Sequence, residues 1–124
     1  MREAIERRAV DTVITKFTSR GYSVTDVGSI RSWDVEAHRG DETVHIEVKG
    51  SATRREAVEL TDNEVRHAED YPDSVLVVVD DISWSRTEDG HIVASGGTWR
   101  EWSPWTPSRS DLLATRYCYV LPKT

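Results

Sequence analysis

Two acidic residues and a lysine lie in two segments that a short hairpin would bring together. Asp34 belongs to the segment WDVEAH, and Glu47 and Lys49 belong to the segment TVHIEVK. The alternation of apolar and polar residues in both segments predicts half-buried β-strands. Two carboxylates beside an amine could bind a divalent cation and stabilise charge on a phosphate, which is the chemistry of phosphodiester hydrolysis.

The residues between the two segments predict the register of the hairpin. Gly40 and Asp41 suit a two-residue type II′ turn, because glycine accepts the positive φ of its first position. Asp34 then lies directly opposite Glu47. A slip of one residue would pair mismatched faces, whereas this register pairs apolar residues with each other. The expected apolar pairs are Trp33 with Val48, Val35 with Ile46, and Ala37 with Val44.

The predicted register sets two like charges side by side. Opposed residues of an antiparallel pair have Cβ atoms about 4.5–5.5 Å apart, and like charges there are unfavourable. Mg²⁺ or Mn²⁺ bound between Asp34 and Glu47 would compensate them, since Mg²⁺ prefers carboxylate oxygens. Lys49, on the same face, could orient water or stabilise charge on a phosphate. The alternative is an ordinary polar hairpin face on which Lys49 balances either acid.

The first predicted helix, REAIERRAVDTVITKFTSRG, carries a charge among its apolar positions. Glu6 precedes Ala9, Val10, Val13 and Phe17 at helical spacing, which predicts that it lies within the apolar stripe. A carboxylate that faces the interior needs a partner or a metal. Glu6 is therefore a candidate accessory ligand of the acid pair. The alternative is a first-turn glutamate favoured by the helix dipole.

The remaining segments predict an α/β fold. The order is one helix, three strands, a second helix, a buried strand SVLVVVDDI and a β-rich tail, which favours helices packed around one mixed sheet. The second helix should begin at Thr61, because Thr61 and Glu64 have the spacing of a capping box. It should end near Tyr71, because Pro72 follows. The tail ends in TRYCYVL, which predicts a final strand.

Composition limits the classes of function. The chain has 124 residues, a formal net charge of −6 and one cysteine, Cys118. One domain, no internal disulfide and a reducing cytoplasmic location are therefore expected. No apolar run is long enough to span a membrane, and the charged N-terminus does not resemble a signal peptide. Because the net charge is negative, any contact with nucleic acid must come from a local basic patch.

Several other side chains could contribute to binding. Arg54 and Arg55 follow the strand of Glu47 and are candidate phosphate contacts, or a solvated loop. His45 would face Glu36, either as a polar cross-strand pair or as a base. Trp99, Trp102 and Trp105 could stack on unpaired bases, close an edge of the sheet or form a protein interface.

These residues together resemble the PD-(D/E)XK nuclease superfamily. Glu6, Asp34 and the triplet EVK at 47–49 stand within the helix-strand-strand-strand-helix-strand order of that superfamily. The nearer resemblance is to the domain at the C-terminus of the plant protein NO VEIN, which also occurs in many bacterial proteins. The segments that carry this resemblance are IERRAVDTVITKF with the following GY, WDVEAHRG, HIEVKGS, LTDNEVRHAEDYPDSVLVVV and the tail GGTWREWSPW with TRYCYVLP. Trp33 replaces the proline of the superfamily name.

The resemblance implies a single restriction-endonuclease-like domain over residues 1–124. Its core, about residues 1–82, would be a mixed four-stranded sheet flanked by helices, and residues 83–124 a β-rich extension. It also implies metal-dependent cleavage of DNA or RNA. Asp34, Glu47 and the carbonyl of Val48 would bind Mg²⁺ or Mn²⁺, Lys49 would be the catalytic lysine, and Glu6 an accessory acid.

The expected partner is nucleic acid, with DNA favoured. The resemblance also implies a place in bacterial defence or restriction, either as a domain of a larger protein or as a homodimer. Two other functions remain open. One is a catalytically silent module of the same fold that binds nucleic acid, and the other is a protein-interaction domain that uses the tryptophan-rich tail.

Overall fold

A computed structural model describes residues 1–123 as two helices, seven strands and one short 3₁₀ helix. Among the described helices, none is long and apolar enough to cross a membrane. The elements are α1 (Arg2–Ser19), β1 (Ser23–Asp26), β2 (Val35–Arg39), β3 (Glu42–Gly50), α2 (Asp62–Asp70), β4 (Ser74–Asp80), β5 (Ser83–Arg86), β6 (Ile92–Ser95), β7 (Thr98–Trp102) and the 3₁₀ helix Arg109–Asp111.

The main sheet is mixed and has the strand order β1-β2-β3-β4-β7. β3 and β4 are parallel, and every other neighbouring pair is antiparallel. β5 and β6 form a separate two-stranded sheet. The mixed α/β architecture confirms the coarse prediction, but the sheet has five strands rather than four. The fifth strand comes from the tryptophan-rich segment, because β7 pairs with β4 and sets Trp102 opposite Leu76.

The predicted register of the β2–β3 hairpin is confirmed from Val35 to Arg39, but the ladder stops before the expected pairs of Asp34 with Glu47 and Trp33 with Val48. The Val48 N–H bonds to the Asp34 side chain instead, and Trp33 stacks on His45. Val35 pairs with Ile46, and Ala37 pairs with Val44. Gly40 has a φ of 58°, as the first position of a II′ turn requires. The register therefore separates β3 into a core face, formed by Val44, Ile46 and Val48, and a polar face, formed by His45, Glu47 and Lys49.

Helix α1 packs against the core face. Its buried residues, Ile5, Ala9, Val13 and Phe17, follow one another at intervals of four and join the core cluster with the β3 residues. The contact is closest at Gly50, where an added Cβ would lie 2.8 Å from the Ala9 Cβ atom. Glycine at this position therefore lets the helix approach the strand.

Helix α2 lies over the polar face. The capping box between Thr61 and Glu64 is present as predicted, and the helix ends at Asp70, with Tyr71 as its C-cap just before Pro72. Every residue of β4 is buried, which confirms that SVLVVVD is an interior strand. β4 flanks Glu47 within the sheet, where Leu76 is its ladder partner, and α2 covers the polar face with His67 and Glu64.

The prediction of a final strand at TRYCYVL was wrong. Residues 112–123 have no regular secondary structure and, apart from the half-buried Leu112, are exposed, Tyr117 and Leu121 at 87% and 78%. Strand propensity alone cannot decide whether a partner strand is within reach. The three tryptophans between residues 99 and 105 differ in exposure. Trp99 and Trp105 are partly buried, whereas Trp102 is 42% exposed at the sheet edge.

Candidate functional site

Asp34 is fixed beside β3 by two hydrogen bonds. Its backbone N–H donates to the carbonyl of Ile46, the ladder partner of Val35, at 3.1 Å. Its Oδ2 accepts the backbone N–H of Val48 at 2.8 Å. The carboxylate therefore points across to β3, beside Glu47, and its negative charge raises the pKa of Glu47. The structure thus brings the two predicted acids together.

Glu47 is buried in an environment that disfavours its negative charge. The residue is 5% exposed, and its Oε1 makes no hydrogen bond among the described residues. Burial is the largest cause that raises the pKa of Glu47 to about 10, and the charge of Asp34 and contact with Glu64 add to it. Without a compensating cation, Glu47 therefore keeps a proton at neutral pH.

The Lys49 amine lies between two carboxyl groups. Nζ is 3.2 Å from Glu47 Oε1 and 3.2 Å from Glu64 Oε1. The Glu47 contact has ion-pair distance without hydrogen-bond geometry, whereas Nζ donates to both oxygens of Glu64. Burial lowers the pKa of Lys49, but attraction to Glu47 and Glu64 outweighs it and raises the pKa overall. Lys49 is therefore an ammonium ion at neutral pH.

Glu64 is a member of this site that the sequence did not reveal. The capping box predicted its position at the start of α2, and its Oε1 does accept the Thr61 N–H at 2.8 Å. The same carboxylate also pairs with Lys49, and hydrogen bonds from Glu47, Thr61 and Lys49 lower its pKa despite burial. The sequence signal that could have identified Glu64 is its position in the first turn of the helix that follows the strand of Lys49.

Two histidines tie α2 to the hairpin beside the acids. His45 faces Glu36 as predicted, with Nε2 3.1 Å from Oε1. Its Nδ1 lies 2.8 Å from Nε2 of His67, a contact that the sequence did not reveal. Burial is the main cause that lowers the pKa of His45 to about 4, so the imidazole is neutral at neutral pH.

Aromatic rings close both sides of the histidine pair. Trp33 stacks on His45 at 3.9 Å between ring centroids, and Tyr71 stacks on the opposite side at 3.8 Å. His67 also lies against Trp33, at 4.1 Å. A small cavity beside this stack is lined by His45, His67, Glu47 and Glu64. The stack therefore holds α2 over the polar face next to Asp34, the neighbour of Trp33.

The prediction that Glu6 faces the interior was wrong. Its side chain is 61% exposed and pairs with Arg2 at 3.4 Å. The buried stripe of α1 begins at Ile5, and each residue of a helix advances by about 100°, so the next position turns away from the stripe. α1 also packs on the core face, whereas Glu47 points to the polar face. The structure therefore does not bring Glu6 to the acid pair.

Arg54 and Arg55 lie in the loop that follows β3. Arg55 is held by its backbone, whose N–H donates to Asp80 Oδ2 at 2.9 Å and whose carbonyl accepts from Arg100 at 2.7 Å. The Arg54 side chain is 52% exposed and pairs with Glu56 at 3.3 Å. The loop is thus anchored to β4 and β7, and it presents two cations near the end of the strand that carries Lys49.

The carboxylates form a pair rather than a larger metal cluster. Within residues 1–123, no group of three or more His, Cys, Asp or Glu side chains is arranged to hold a metal ion. Asp34 and Glu47 are the two acids that a cation could share, and the Val48 carbonyl lies between Glu47 and Lys49 in sequence. Chemically, the arrangement offers two carboxylates, one ammonium group and a partly buried polar face.

Comparison with known proteins identifies the family of the chain. No curated protein and no solved structure matches it. The family described as "Protein NO VEIN, C-terminal" matches residues 5–90, which is more than half of the chain and includes Asp34, Glu47, Lys49 and Glu64. The chain therefore belongs to the family of the NO VEIN C-terminal domain.

Proposed function

We propose that this domain is a metal-dependent nuclease of the PD-(D/E)XK type with a restriction-endonuclease-like core, which hydrolyses phosphodiester bonds in DNA or RNA. The observation that carries the proposal is the convergence of Asp34, Glu47 and Lys49 on one face of the β2–β3 hairpin. Such a domain could act in bacterial defence, as a homodimer or within a larger cytoplasmic protein.

The donor set fits Mg²⁺ or Mn²⁺. Glu47 Oε1 is buried without a hydrogen bond, and a buried oxygen of that kind needs a partner. Mg²⁺ keeps several waters and needs only one or two protein carboxylates, so a pair of acids is sufficient. Asp34, Glu47 and the carbonyl of Val48 would hold the ion. When bound, the cation would neutralise phosphate oxygens and acidify water.

The residues of the chain have distinct parts in the proposed reaction. Asp34 keeps its position through the Val48 N–H, so its second oxygen stays available to a ligand. Lys49 is already protonated, which supports a role in stabilising charge on the phosphate rather than in removing a proton from water. Arg54 and Arg55 would contact the nucleic-acid backbone.

Cleavage assays test the proposal directly. Purified protein is incubated with single- and double-stranded DNA and RNA, with Mg²⁺, with Mn²⁺ or with a chelator. We expect metal-dependent cleavage that Lys49→Ala abolishes and that Lys16→Ala, which changes an exposed lysine of α1, leaves intact. Cleavage that persists in chelator, or that survives Lys49→Ala, would contradict the proposal.

A second candidate is a nucleic-acid-binding module that does not cut. It is favoured by the ligand count, since no three-residue metal group is found within residues 1–123. The module would bind nucleic acid with the same affinity in chelator as in Mg²⁺, and Asp34→Ala would not weaken binding. A filter-binding or fluorescence-anisotropy titration under both conditions separates the two functions.

A further inference from the structure

Lys49 and a divalent cation would compete for the same oxygen of Glu47. The Lys49 Nζ lies 3.2 Å from Glu47 Oε1, and this oxygen is also the one left without a hydrogen bond. An ammonium group and a divalent ion repel each other strongly at such distances in a partly buried site. A cation can therefore use Glu47 only if the amine has another place to stay.

Glu64 offers the Lys49 amine that second place. Its Oε1 and Oε2 lie 3.2 and 3.4 Å from Nζ, and the side chain is 17% exposed, so the pair is shielded from solvent. Lys49 itself is 24% exposed at the side chain. The charges are complementary, and the amine can shift toward Glu64 without losing its counter-charge.

The carboxylate of Glu64 is also held by bonds that do not involve Glu47. The Thr61 N–H donates to Glu64 Oε1 at 2.8 Å, and the Glu64 N–H donates to Thr61 Oγ1 at 3.1 Å. These two bonds form the capping box at the start of α2. The start of the helix therefore fixes the side chain that faces Lys49, whatever occupies Glu47.

We infer that Glu64 is a positioning residue, which retains the Lys49 ammonium group beside the acid pair and so leaves Glu47 free to bind a divalent cation. The inference rests on the proposed function, because it assigns a part in the same site. It also gives a structural reason for the capping box, which places a helix start over the catalytic lysine.

Glu64→Gln tests the inference while preserving the helix cap. Glutamine serves at this position of a capping box as glutamate does, so the Thr61 contact is retained while the charge is removed. Asp62→Asn is the matched control. It removes one negative charge from the same helix, at a side chain that is 65% exposed and paired with Arg66. Both variants are titrated with Mn²⁺ by calorimetry alongside the unchanged protein.

We expect Glu64→Gln to weaken Mn²⁺ binding about 10-fold or more, the scale for groups that support a metal ligand. Asp62→Asn should bind within about 2-fold of the unchanged protein, since an exposed charge is screened by solvent and salt. NMR of the lysine ammonium groups, with Mg²⁺ bound, should show a protected Lys49 signal that disappears in Glu64→Gln and remains in Asp62→Asn.

The possible failures are distinguishable. If the unchanged protein binds Mn²⁺ but Glu64→Gln binds it as well as Asp62→Asn does, the positioning role of Glu64 is wrong and the nuclease proposal stands. If the unchanged protein does not bind Mn²⁺ or Mg²⁺ at all, the proposed function fails, and the inference fails with it. Loss of the Lys49 signal in both variants would also overturn the specific role of Glu64.

Discussion

The two faces of β3 are built from alternate residues of one strand, yet they have opposite characters. The core face carries Val44, Ile46 and Val48, all buried against apolar neighbours. The polar face carries His45, Glu47 and Lys49, which are also mostly buried but meet charged or polar partners from α2 and β2. The difference shows that one strand buries apolar side chains on one side and a cluster of paired charged and polar groups on the other.

The partners of the two faces differ in the same way. α1 approaches the core face with apolar side chains and reaches van der Waals contact at Gly50. α2 brings Glu64 and His67 to the polar face, where each forms a specific polar contact. A substitution on the core face should therefore alter stability, whereas one on the polar face should alter binding or catalysis.

The largest effect is expected from the charge of Lys49. Lys49→Met keeps the apolar stem and removes the ammonium group, so transition-state stabilisation is lost while much of the packing remains. We expect the cleavage rate to fall about 100-fold or more, the scale for loss of one electrostatic stabiliser. Rates are measured on an oligonucleotide that the unchanged protein cuts. If the rate stays within about 2-fold of that of the unchanged protein, the loss is far smaller than this scale. That result would contradict the proposed difference between the two faces.

The core face should respond through stability. Ile46 is fully buried, and Ile46→Ala should lower the free energy of unfolding by about 2–5 kcal/mol because it leaves a cavity. Urea denaturation followed by circular dichroism measures the change. The variant that remains folded should still bind Mn²⁺. A loss of Mn²⁺ affinity without a loss of stability would show that the two faces are not separate in function.

The raised pKa of Glu47 predicts that the free energy of unfolding depends on pH. The unfolded chain loses the proton near the ordinary pKa of 4.5, while the folded protein keeps it to about 10. The folded state therefore binds more protons in this range, and its stability falls as pH rises, by up to about 1.4 kcal/mol per pH unit.

Glu47→Gln should remove this part of the pH dependence. The free energy of unfolding of the variant and of the unchanged protein is measured by urea denaturation in chelator, at several pH values between 5 and 9. The variant should gain relative stability as pH rises. Equal slopes for the two proteins would mean that the Glu47 carboxyl is not held protonated by the fold.

The smallest effect is expected at the start of α2. Thr61→Ala removes the hydroxyl that accepts the Glu64 N–H and should cost about 1 kcal/mol of stability. The substitution leaves the backbone N–H of residue 61 in place, so Glu64 Oε1 still accepts its hydrogen bond. Thermal unfolding measures the loss, and a change below about 0.2 kcal/mol would argue against the cap.

The hairpin geometry could be predicted because local features determine it. A glycine turn and the alternation of residues leave one register that pairs Val35 with Ile46 and Ala37 with Val44. Asp34 lies just beyond this ladder and is held beside β3 by its own hydrogen bonds, which the pattern did not predict. Glu6 was misplaced because an error of one position in a helix turns a side chain by about 100°, away from the buried stripe that begins at Ile5.

The contacts made by α2 and the tail depend on long-range packing. The loop after β3 decides where α2 lies, so the pairing of Glu64 with Lys49 and of His67 with His45 could not follow from local pattern. The tail shows the same limit for a strand that was predicted but does not form. TRYCYVL has the composition of a strand, but the edge strand beside β4 comes from Thr98–Trp102 instead.

The proposed site depends on a divalent cation that Asp34 and Glu47 share. Calorimetric titration with Mn²⁺ of the unchanged protein, of Asp34→Asn and of Asp41→Asn tests it most directly. Asparagine at position 34 can still accept the Val48 N–H, and Asp41 is an exposed acid in the hairpin turn. We expect one Mn²⁺ site, weakened at least about 10-fold by Asp34→Asn and unchanged by Asp41→Asn. Absence of binding by the unchanged protein, or equal affinity in Asp34→Asn, would contradict it.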